Sequence, residues 1–460
     1  MSLWTAHAIA AAVGGAAHGE FAVDGVTFDS REVTAGDLFI ALQGEATDGH
    51  RFIDGALARG AAGLLVSEPA SAPHVLVADT MAALNALGGA ARDRSGAVRI
   101  GVTGSVGKTG VKEALKAALG RFAPGAVHAS VKSYNNHTGV PLSLARMPAA
   151  SRFGVFEMGM NHAGELTALT ALVQPHIAVV TWVASAHREF FATEADIARA
   201  KAEIFSGLPA GGTAIIPHDN IHADVLAAGA RAAGANIVRF GQNDGADVWA
   251  EQVKLHPDCS CVTARIGKDR LTFRIGMAGK HWVNNALAVL AAVQAAGGDL
   301  ALAGLALAEF NDLAGRGRRL RVPAGGGQAV VIDEAYNANP ASMAASLAVL
   351  GAIVPARHGR RLALLGAMKE LGELSAEFHA GIAPHLIEAG VAIAVLVGPE
   401  MQPLAKALGR QLDVRHVSSA EAAQAELQGV LAADDVLLVK GSNSVGLGRI
   451  VTALAEESPA

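Results

Sequence analysis

Short apolar runs alternate with longer segments whose apolar residues recur every three or four positions, over most of the chain after residue 98. Apolar runs at 153–156, 177–183, 211–217 and 236–241 predict buried strands, and helices are predicted between them. Repeated strand-then-helix order is typical of a mostly parallel sheet covered by crossover helices. The pattern therefore predicts an α/β fold.

The two ends of the chain carry the same pattern in smaller units. Strands are predicted at 26–31, 36–42, 61–67 and 74–77, with a helix through 52–57. After residue 315, strands are predicted at 329–333, 361–366, 391–397 and 436–440, with helices at 342–350 and 376–389. Residues 246–276 read as an antiparallel excursion. We expect a small N-terminal α/β domain at 1–97, a central mostly parallel domain at 98–314 and a doubly wound, Rossmann-like domain at 315–460.

Composition narrows the class of protein. A chain of 460 residues is too long for one ordinary core, and its formal net charge of -5 gives no basic surface for nucleic acid. Although 51% of the residues are hydrophobic and the mean hydropathy is +0.33, many are alanine and no long apolar run is uninterrupted. Residues 1–17 lack a signal-peptide pattern. We expect a cytoplasmic protein without membrane insertion or nucleic-acid partner, whose two cysteines, Cys259 and Cys261, stay free.

The string V-T-G-S-V-G-K-T at 102–109 lies between a predicted strand and a predicted helix. Gly104 and Gly107 let backbone N–H groups approach phosphate oxygens, and the Lys108 ammonium can reach the outer phosphates. The Thr109 hydroxyl would face Mg²⁺. The alternative is a turn that happens to contain Gly-Lys-Thr. The candidate nucleotide-binding residues of this loop are Gly104, Ser105, Val106, Gly107, Lys108, Thr109 and Gly110.

Three further polar residues follow the central strands. Glu157 ends the strand at 153–156, at the sheet edge where ligands collect in open parallel sheets, and is a candidate Mg²⁺ ligand. His187 follows the strand at 177–183, although a lone histidine there is more often structural. Lys201 lies on a predicted helix and could equally be its charged face.

Other candidate segments read as turns or linkers when taken alone. They are Ser30-Arg31 after the first predicted strand, Asn135-Asn136 with Thr138, the basic stretch 315–319 with Arg316, and the run from Asp333 through Tyr336, Asn337 and Asn339 to Pro340.

Several strings together resemble the Mur ligase family over nearly the whole chain. They are T-G-S-V-G-K-T at 103–109, D-S-R-E-V-T-A-G-D-L-F-I-A-L at 29–42, D-G-H-R-F at 48–52, D-E-A-Y-N-A-N-P-A-S-M at 333–343, G-A-M-K-E-L-G-E at 366–373 and K-G-S at 440–442. The string at 333–343 is most similar to the branch that joins the dipeptide D-Ala-D-Ala to a UDP-muramyl tripeptide. Relatives that add single amino acids, or glutamate to folate, differ there.

The resemblance implies a role for each matching residue. Lys108 and the loop amides would hold ATP, with Asn285 on the adenine, Arg316 and Asp333 near ribose and phosphates, and Asn337 in the nucleotide-facing loop. Two Mg²⁺ sites would use Thr109, Glu157, His187 and Lys201, the lysine being carbamylated. The UDP-substrate would be contacted by Ser30, Arg31, Asn135, Asn136 and Thr138, with Tyr336 and Asn339 also at the substrate. Lys108, Glu157, His187 and Lys201 would be catalytic.

The sequence departs from the family pattern in two segments. Trp282 stands where many members have Asn after the histidine of the H-N-x-x-N-A string, and Trp182 and Ala184 replace Asn and Gly before His187.

The implied reaction forms an acyl phosphate from the peptide carboxylate and ATP, which the amine of D-Ala-D-Ala then attacks. The implied protein is a cytoplasmic, monomeric enzyme of cell-wall precursor synthesis. The alternatives are a related ligase that adds one amino acid, and a regulator that binds ATP without catalysis. The presence of Lys108, Glu157, His187 and Lys201 together favours catalysis. A protein that used ATP only as a conformational switch would not need a second metal site.

Overall fold

The computed structural model describes residues 2–44, 47–311, 313–356 and 358–456. Residue 1 and residues 457–460, the predicted outer ends of the first and third domains, lie outside the described part. In the described residues the fold is α/β, built on three large sheets and one two-stranded sheet.

The first sheet has five strands in the order β2-β7-β6-β5-β4, all parallel except for the β2–β7 pair. Strands β1 and β3 form a separate antiparallel pair. The strands are β1 (Trp4–Thr5), β2 (Ala16–His18), β3 (Ala22–Val23), β4 (Gly25–Thr27), β5 (Asp37–Ile40), β6 (Gly63–Val66) and β7 (His74–Leu76), and the helices are α1 (Ala6–Val13), α2 (Ile53–Ala58) and α3 (Thr80–Asp93).

The central sheet has nine strands in the order β16-β15-β14-β13-β12-β11-β8-β10-β9. Pairs from β9 through β14 are parallel, and β14, β15 and β16 pair antiparallel, as the sequence predicted. The strands are β8 (Val98–Thr103), β9 (Val127–Ala129), β10 (Phe153–Glu157), β11 (Ile177–Val180), β12 (Thr213–Pro217), β13 (Asn236–Gly241), β14 (Val248–Leu255), β15 (Ser260–Ile266) and β16 (Asp269–Ile275).

Helices cover both faces of the central sheet, and two large apolar clusters lie between them and the strands. The helices are α4 (Lys108–Phe122), α5 (Gly139–Ala145), α6 (Glu165–Val173), α7 (Glu194–Ala202), α8 (Ala223–Ala232), α9 (Lys280–Ala295) and α10 (Leu300–Glu309). Helix α7 begins at a capping box, in which Thr193 and Asp196 each bond the other's backbone N–H. This cap fixes the start of the helix that carries Lys201.

The third sheet has six strands in the order β17-β18-β22-β19-β20-β21, parallel except at β17. Its helices lie on both faces, which gives the predicted doubly wound arrangement. The strands are β17 (Arg318–Ala324), β18 (Gly327–Glu334), β19 (Arg361–Gly366), β20 (Val391–Val397), β21 (Asp413–Val417) and β22 (Val436–Lys440), and the helices are α11 (Pro340–Ala352), α12 (Ser375–Ala380), α13 (Ala383–Glu388), α14 (Gln402–Leu408), α15 (Ala420–Val430) and α16 (Leu447–Glu456).

Two local predictions differ from the structure, and a third, the Asn-Asn turn, is confirmed. The single helix expected at 376–389 is two short helices that meet at Gly381 and Ile382, because Pro384 starts the second and has no N–H to continue the first. The basic stretch expected as a linker runs into strand β17 at Arg318. The Asn-Asn turn leads directly into α5, where the Asn136 side chain accepts from the backbone N–H of Gly139 at 2.9 Å.

Among the helices of the described residues, none is long and apolar enough to cross a membrane.

Candidate active site

Three neighbouring strands of the central sheet end at one place. Strand β8 lies between β10 and β11 in the sheet, and all three run in the same direction. Consequently the phosphate-binding loop after β8, Glu157 at the end of β10 and the segment after β11 meet at one edge. This is the position that the sequence predicted for them.

The phosphate-binding loop is held open by close backbone packing. Gly104 has a φ of +152°, and a Cβ there would lie 1.9 Å from the Thr181 hydroxyl oxygen. That hydroxyl donates to the Val106 carbonyl oxygen at 2.5 Å, and the Thr103 carbonyl oxygen lies 3.2 Å from it. Gly107, with a φ of +90°, caps the N-terminus of α4. Only glycine can occupy position 104 without a clash. The backbone conformation of the loop therefore depends on this residue.

Ser105 ties this loop to the segment after β11. Its backbone N–H donates to the Trp182 carbonyl at 2.7 Å, and its hydroxyl donates to the Ala184 carbonyl at 2.9 Å. The Ala184 N–H in turn donates to the Ser105 hydroxyl at 3.1 Å. Because Trp182 and Ala184 contribute only backbone atoms here, their departure from the family pattern leaves these contacts intact.

Lys108 and Glu157 occupy the centre of the edge. The Lys108 ammonium donates to the Gly104 carbonyl at 2.7 Å, and burial lowers its pKa although Glu157 acts in the opposite sense. One Glu157 oxygen accepts from the Thr109 hydroxyl at 2.7 Å, and the other from the Asn135 amide at 2.8 Å. The pair of oxygen donors Thr109 and Glu157 therefore lies beside Lys108.

His187 is reached by a carboxylate of the third domain. Its Nδ1 lies 2.5 Å from Glu370 Oε2, and its backbone has a φ of +57°. Burial lowers the pKa of His187, while the bond to His187 lowers the pKa of Glu370. The Glu189 N–H also donates to the Glu370 carbonyl, at 3.1 Å. The third domain is thus in contact with the segment after β11.

Lys201 is 1% exposed at the end of α7, and in the described part of the chain its ammonium has no hydrogen-bond or ion-pair partner. Burial, with the Lys108 charge acting in the same sense, lowers its pKa well below the ordinary lysine value. A buried ammonium without a partner is unfavourable, so the neutral amine is favoured. The alternative interpretation of Lys201 as a residue of an exposed, charged face is wrong.

Third-domain residues close over the phosphate loop. The Asn339 amide donates to the Ser105 carbonyl at 3.4 Å, while its carbonyl caps α11 at Ser342. Asp333 is buried and accepts from the Gly315 N–H at 2.8 Å and from Arg318 at 3.3 Å. The Arg316 guanidinium lies over the Tyr336 ring, 4.2 Å from its centroid. The stretch expected as a hinge therefore packs against the D-E-A-Y-N string.

Two further predicted nucleotide contacts lie at different depths. The side-chain oxygen of Asn285 lies close to Gly107, and a Cβ placed on Gly107 would be 2.7 Å from that oxygen. The Asn337 side chain accepts from the backbone N–H of Ala338, and its carbonyl oxygen accepts from the buried Lys440 ammonium at 2.9 Å. Asn285 is thus beside the phosphate loop, and Asn337 is held by the end of β22.

The predicted substrate residues are divided among three domains, with Ser30 and Arg31 in the first, Asn135, Asn136 and Thr138 in the second, and Tyr336 and Asn339 in the third. Arg31 is exposed and pairs with Asp29 at 2.7 Å, next to Ser30, in the turn after β4. Asn136 caps α5 and accepts from the Thr138 hydroxyl at 3.0 Å. The two segments are joined through Glu32, which follows Arg31 and accepts from the Tyr134 hydroxyl at 2.9 Å.

Three comparisons with known proteins bear on this geometry. Family models match residues 22–95 (Mur ligase family, catalytic domain), 102–293 (Mur ligase middle domain) and 317–443 (Mur ligase, glutamate ligase domain). The UDP-N-acetylmuramoyl-tripeptide–D-alanyl-D-alanine ligase of Rickettsia prowazekii is 31% identical over 98% of this chain and 99% of its own. The chain belongs to the Mur ligase family.

Other relatives agree with this assignment. The Escherichia coli protein with the same ligase name is 34% identical over 95% of each chain. MurF from Acinetobacter baumannii superposes with a TM-score of 0.84 at 29% identity, over 98% of this chain and 99% of that one. MurF ligase from Thermotoga maritima in complex with ADP gives a TM-score of 0.76 at 26% identity, over 94% and 97%. The predicted family and the three-domain fold class are confirmed, and this Mur ligase is an enzyme.

The described residues contain no group of three or more His, Cys, Asp or Glu side chains that could hold a metal ion by themselves. This suits Mg²⁺, which is usually bound by one or two carboxylates, water and substrate phosphates. Thr109 and Glu157 supply oxygen donors of this kind, 2.7 Å apart beside the loop at 104–110. His187 offers one ring nitrogen in contact with Glu370, at 2.5 Å.

Sequence analysis missed several contacts of this Mur ligase. The family-like string at 366–373 includes Glu370, but its sequence predicted no role for this residue. The contact between Glu370 and His187 joins residues that are 183 positions apart. Tyr134, which donates to Glu32 at 2.9 Å, was passed over in the loop that holds Asn135. Trp282, the other departure from the family pattern, is a core residue whose ring packs on Gly110 of α4. The spacing of apolar residues does not predict such contacts. They form only when the folded sheet places residues that are distant in sequence next to each other.

Proposed function

We propose that this Mur ligase joins D-Ala-D-Ala to UDP-N-acetylmuramoyl-tripeptide, with ATP as the energy source, and releases ADP and phosphate. The observation that carries the proposal is the convergence of Lys108, Glu157, His187 and Lys201 at one sheet edge. Near-full-length relatives with this ligase name, at 31% and 34% identity, support the choice of substrates. So does the string at 333–343.

ATP is proposed to bind between the second and third domains. The loop amides at 104–110 and the Lys108 ammonium would hold the β- and γ-phosphates. Asn285 would contact adenine, with Arg316, Asp333 and Asn337 closing from the third domain. The contact from Asn339 to the Ser105 carbonyl supports this arrangement, because it already brings the third domain onto the phosphate loop.

Two Mg²⁺ sites belong to the proposal. Thr109 and Glu157 would hold one ion together with phosphate oxygens, and His187 with a carbamate of Lys201 would hold the other. The neutral, buried Lys201 amine suits carbamate formation, which would turn it into an anionic oxygen donor. When bound, Mg²⁺ offsets the repulsion between an approaching carboxylate and the triphosphate.

The chain's own residues would then act in two steps. The terminal carboxylate of the peptide attacks the γ-phosphorus, and the bond to ADP breaks while Lys108 stabilises the phosphate charge. The amine of D-Ala-D-Ala next attacks the acyl carbonyl, an amide bond forms, and the bond from carbon to the phosphate oxygen breaks. Closure of Asn339 and Glu370 over the site would exclude water from the acyl phosphate.

Each domain has a proposed role with boundaries at 1–97, 98–314 and 315–460. The first would hold the UDP part of the acceptor through Ser30 and Arg31, and the second ATP and the acceptor peptide through Asn135, Asn136 and Thr138. The third would hold the dipeptide, with Tyr336 and Asn339 at the junction.

A polar cavity in the third domain supports the dipeptide assignment. It has a volume of about 410 Å³ and lies at the carboxyl ends of β19, β20 and β21. Lys369 and Glu400 form an ion pair in its wall, and Arg449 and Glu421 add one further charge of each sign. D-Ala-D-Ala is a zwitterion, so its ammonium and its carboxylate would pair with groups of opposite charge in the cavity wall. We propose the cavity as its site.

The substrates also carry a proposal about setting. ATP and UDP-linked sugars are cytoplasmic metabolites, so we propose that the enzyme works in the cytoplasm, and as a monomer. Light scattering of the purified chain tests the second point, since a mass near twice 46.7 kDa would exclude a monomer.

Phosphate release tests the overall proposal. Purified protein with ATP, Mg²⁺ and UDP-muramyl-tripeptide should release phosphate rapidly only when D-Ala-D-Ala is added. The Lys108→Met variant should lose this activity and serves as the control for contaminating ATPases. Turnover that is independent of the dipeptide would instead support an ATP-binding regulator.

A further inference from the structure

Lys112 is a fully buried lysine that the proposed mechanism does not use. It lies on α4, one turn after Thr109, and is 0% exposed. Its ammonium donates to the carbonyl oxygens of Ser130 and Lys132, both at 2.8 Å, and to Glu113 Oε1 at 2.5 Å. A lysine ammonium has three N–H donors, so each is used. Burial of this charge is tolerated because it is fully hydrogen-bonded.

The two carbonyls belong to the segment 130–138, here called the acceptor loop. Its backbone turns sharply at Lys132, whose φ of +52° lies in the left-handed region that non-glycine residues seldom adopt. In an isolated chain this conformation is unfavourable, and the bonds from Lys112 on either side of residue 131 hold it. Lys112 thus stabilises the turn at Lys132, the part of the loop whose backbone conformation is intrinsically unfavourable.

The rest of the acceptor loop is attached to residues with proposed roles. The Ser130 hydroxyl accepts from the Glu157 N–H at 3.3 Å, and the Asn135 amide donates to the Glu157 carboxylate at 2.8 Å. At its other side, Tyr134 and Lys132 both contact Glu32 of the first domain. The loop therefore connects the first domain, the carboxylate Glu157 and the positions Asn136 and Thr138.

We infer that Lys112 is a positioning residue for the acceptor substrate, which it serves by fixing the acceptor loop to the nucleotide-binding helix. The kinetic part of this inference rests on the proposed function. The hydrogen bonds of the Lys112 ammonium go to Glu113, Ser130 and Lys132 and to none of the residues 104–109, so its removal should affect acceptor binding more than nucleotide binding.

Steady-state kinetics of Lys112→Met tests the inference. We expect the KM for UDP-muramyl-tripeptide to rise at least tenfold, while the KM for ATP changes less than threefold. Lys112→Gln, which retains two donors, should give an intermediate KM. A merely destabilised enzyme would instead lose kcat through a smaller active fraction and keep its KM for the acceptor, and that result would overturn the inference.

Two matched variants on the same helix serve as controls. Lys116 is exposed one turn further along α4, so Lys116→Met removes the same group without touching the acceptor loop. Glu113→Gln leaves Lys112 and its two carbonyl bonds in place. Both controls should keep the wild-type KM for the acceptor. A tenfold rise in Glu113→Gln would show that the ion pair, rather than the bonds to the loop, is responsible.

Hydrogen exchange of the ligand-free, full-length protein tests the same inference without any substrate. Lys112→Met should raise the exchange rate at residues 130–138 at least tenfold, with no change in α16, which lies in the third domain. This result would stand even if wild-type enzyme failed to use UDP-muramyl-tripeptide, and that failure would count against the proposed function alone. Unchanged exchange at 130–138 in both Lys112 variants would overturn the inference.

Discussion

At the scale of single residues, Lys201 carries much of the proposed chemistry. An ammonium that is 1% exposed and has no partner among the described residues is poorly stabilised, which favours the neutral amine and its reaction with CO₂. The spacing of apolar residues in α7 does not distinguish Lys201 from the exposed Arg199 two residues earlier. The buried environment that separates them is created by tertiary packing.

Lys201→Met should therefore lower kcat at least a hundredfold while ADP still binds with near wild-type affinity. Labelling with ¹³C-bicarbonate should give a carbamate carbon signal in the wild-type NMR spectrum that is missing from the variant. Arg199→Gln is the matched control and should keep both the rate and the signal. A Lys201→Met enzyme within threefold of the wild-type rate would contradict the role.

Arg449 tests the dipeptide assignment at the same scale. It is an exposed residue in the wall of the third-domain cavity, so Arg449→Gln should fold normally. We expect the KM for D-Ala-D-Ala to rise about tenfold because one carboxylate contact is lost, with the KM for ATP unchanged. Arg410→Gln, an exposed third-domain residue outside the cavity wall, is the control. Equal KM values for the dipeptide in wild type and Arg449→Gln would place the dipeptide elsewhere.

At the scale of elements, the loop between β8 and α4 shows why glycine positions matter unequally. A Cβ at Gly104 would overlap the Thr181 hydroxyl, whereas a Cβ at Gly120 in the last turns of α4 meets nothing within 4 Å. Gly104→Ala should lower ADP affinity more than a hundredfold in calorimetric titration. Gly120→Ala should bind ADP normally and gain up to about 1 kcal/mol of stability, as helical alanine does. Equal affinities in the two variants would contradict the loop geometry.

His128 links strand β9 to helix α5 and predicts a pH dependence of stability. Its Nε2 lies 2.6 Å from the Ser143 carbonyl oxygen, and burial lowers the pKa of the ring to about 4. Between that pKa and the ordinary value near 6.5, the unfolded chain binds a proton that the folded chain does not. Stability is therefore lost as the pH falls through this window, by up to about 3 kcal/mol.

His128→Gln keeps a donor for the Ser143 carbonyl but does not titrate. Its melting temperature should fall less than that of the wild type between pH 7.5 and pH 5. The exposed His137 is the matched control, and His137→Gln should follow the wild-type curve. Parallel curves for wild type and His128→Gln would show that His128 contributes nothing to the pH dependence.

Strand positions were largely predictable at this scale. Apolar runs bounded by polar or turn residues predicted β19, β20 and β22 with the bounds that the structure shows. The break at Gly381 was not predicted, because apolar spacing continues across it while Pro384 interrupts the hydrogen bonds. Patterns of hydrophobicity report which face is buried, and they do not report where the backbone bonds are interrupted.

At the scale of the whole molecule, the two domain interfaces differ in character. Trp4 of the first domain donates to the Ala145 carbonyl at 2.9 Å, under the Arg94 guanidinium, and Leu142 packs into the first-domain core. Around the site, the second and third domains meet through polar contacts, as between Glu370 and His187, while Met277 lies against Gly317 away from them. Polar interfaces open more readily, so the third domain is the one expected to move.

Electron–electron distance measurements on spin labels test this expectation. Exposed positions Arg51, Lys116 and Arg410 would be labelled in pairs after Cys259 and Cys261 are changed to Ser. An ATP analogue with UDP-muramyl-tripeptide should leave the 51–116 distance unchanged and shift the 116–410 distance. A shift of the first pair, or of neither, would contradict the assignment of the moving part.

The site as a whole was only partly predictable. Phosphate-loop glycines and Lys108 follow from local sequence, because strand, turn and helix are neighbours in the chain. Contacts such as Asn339 with Ser105 join residues 234 positions apart and depend on how two sheets pack. The resemblance to a family supplied their proposed roles, and the physical pattern alone would have left them as turn residues.

The central claim is that this chain joins a dipeptide to a UDP-linked tripeptide. Mass spectrometry of reactions containing the purified protein, ATP, Mg²⁺ and UDP-muramyl-tripeptide tests it most directly, with D-Ala-D-Ala, D-Ala and L-Lys as competing amines. We predict a UDP-muramyl-pentapeptide with D-Ala-D-Ala and no product with the single amino acids. A product carrying one amino acid, or no ligation with any amine while ATP still binds, would contradict the claim.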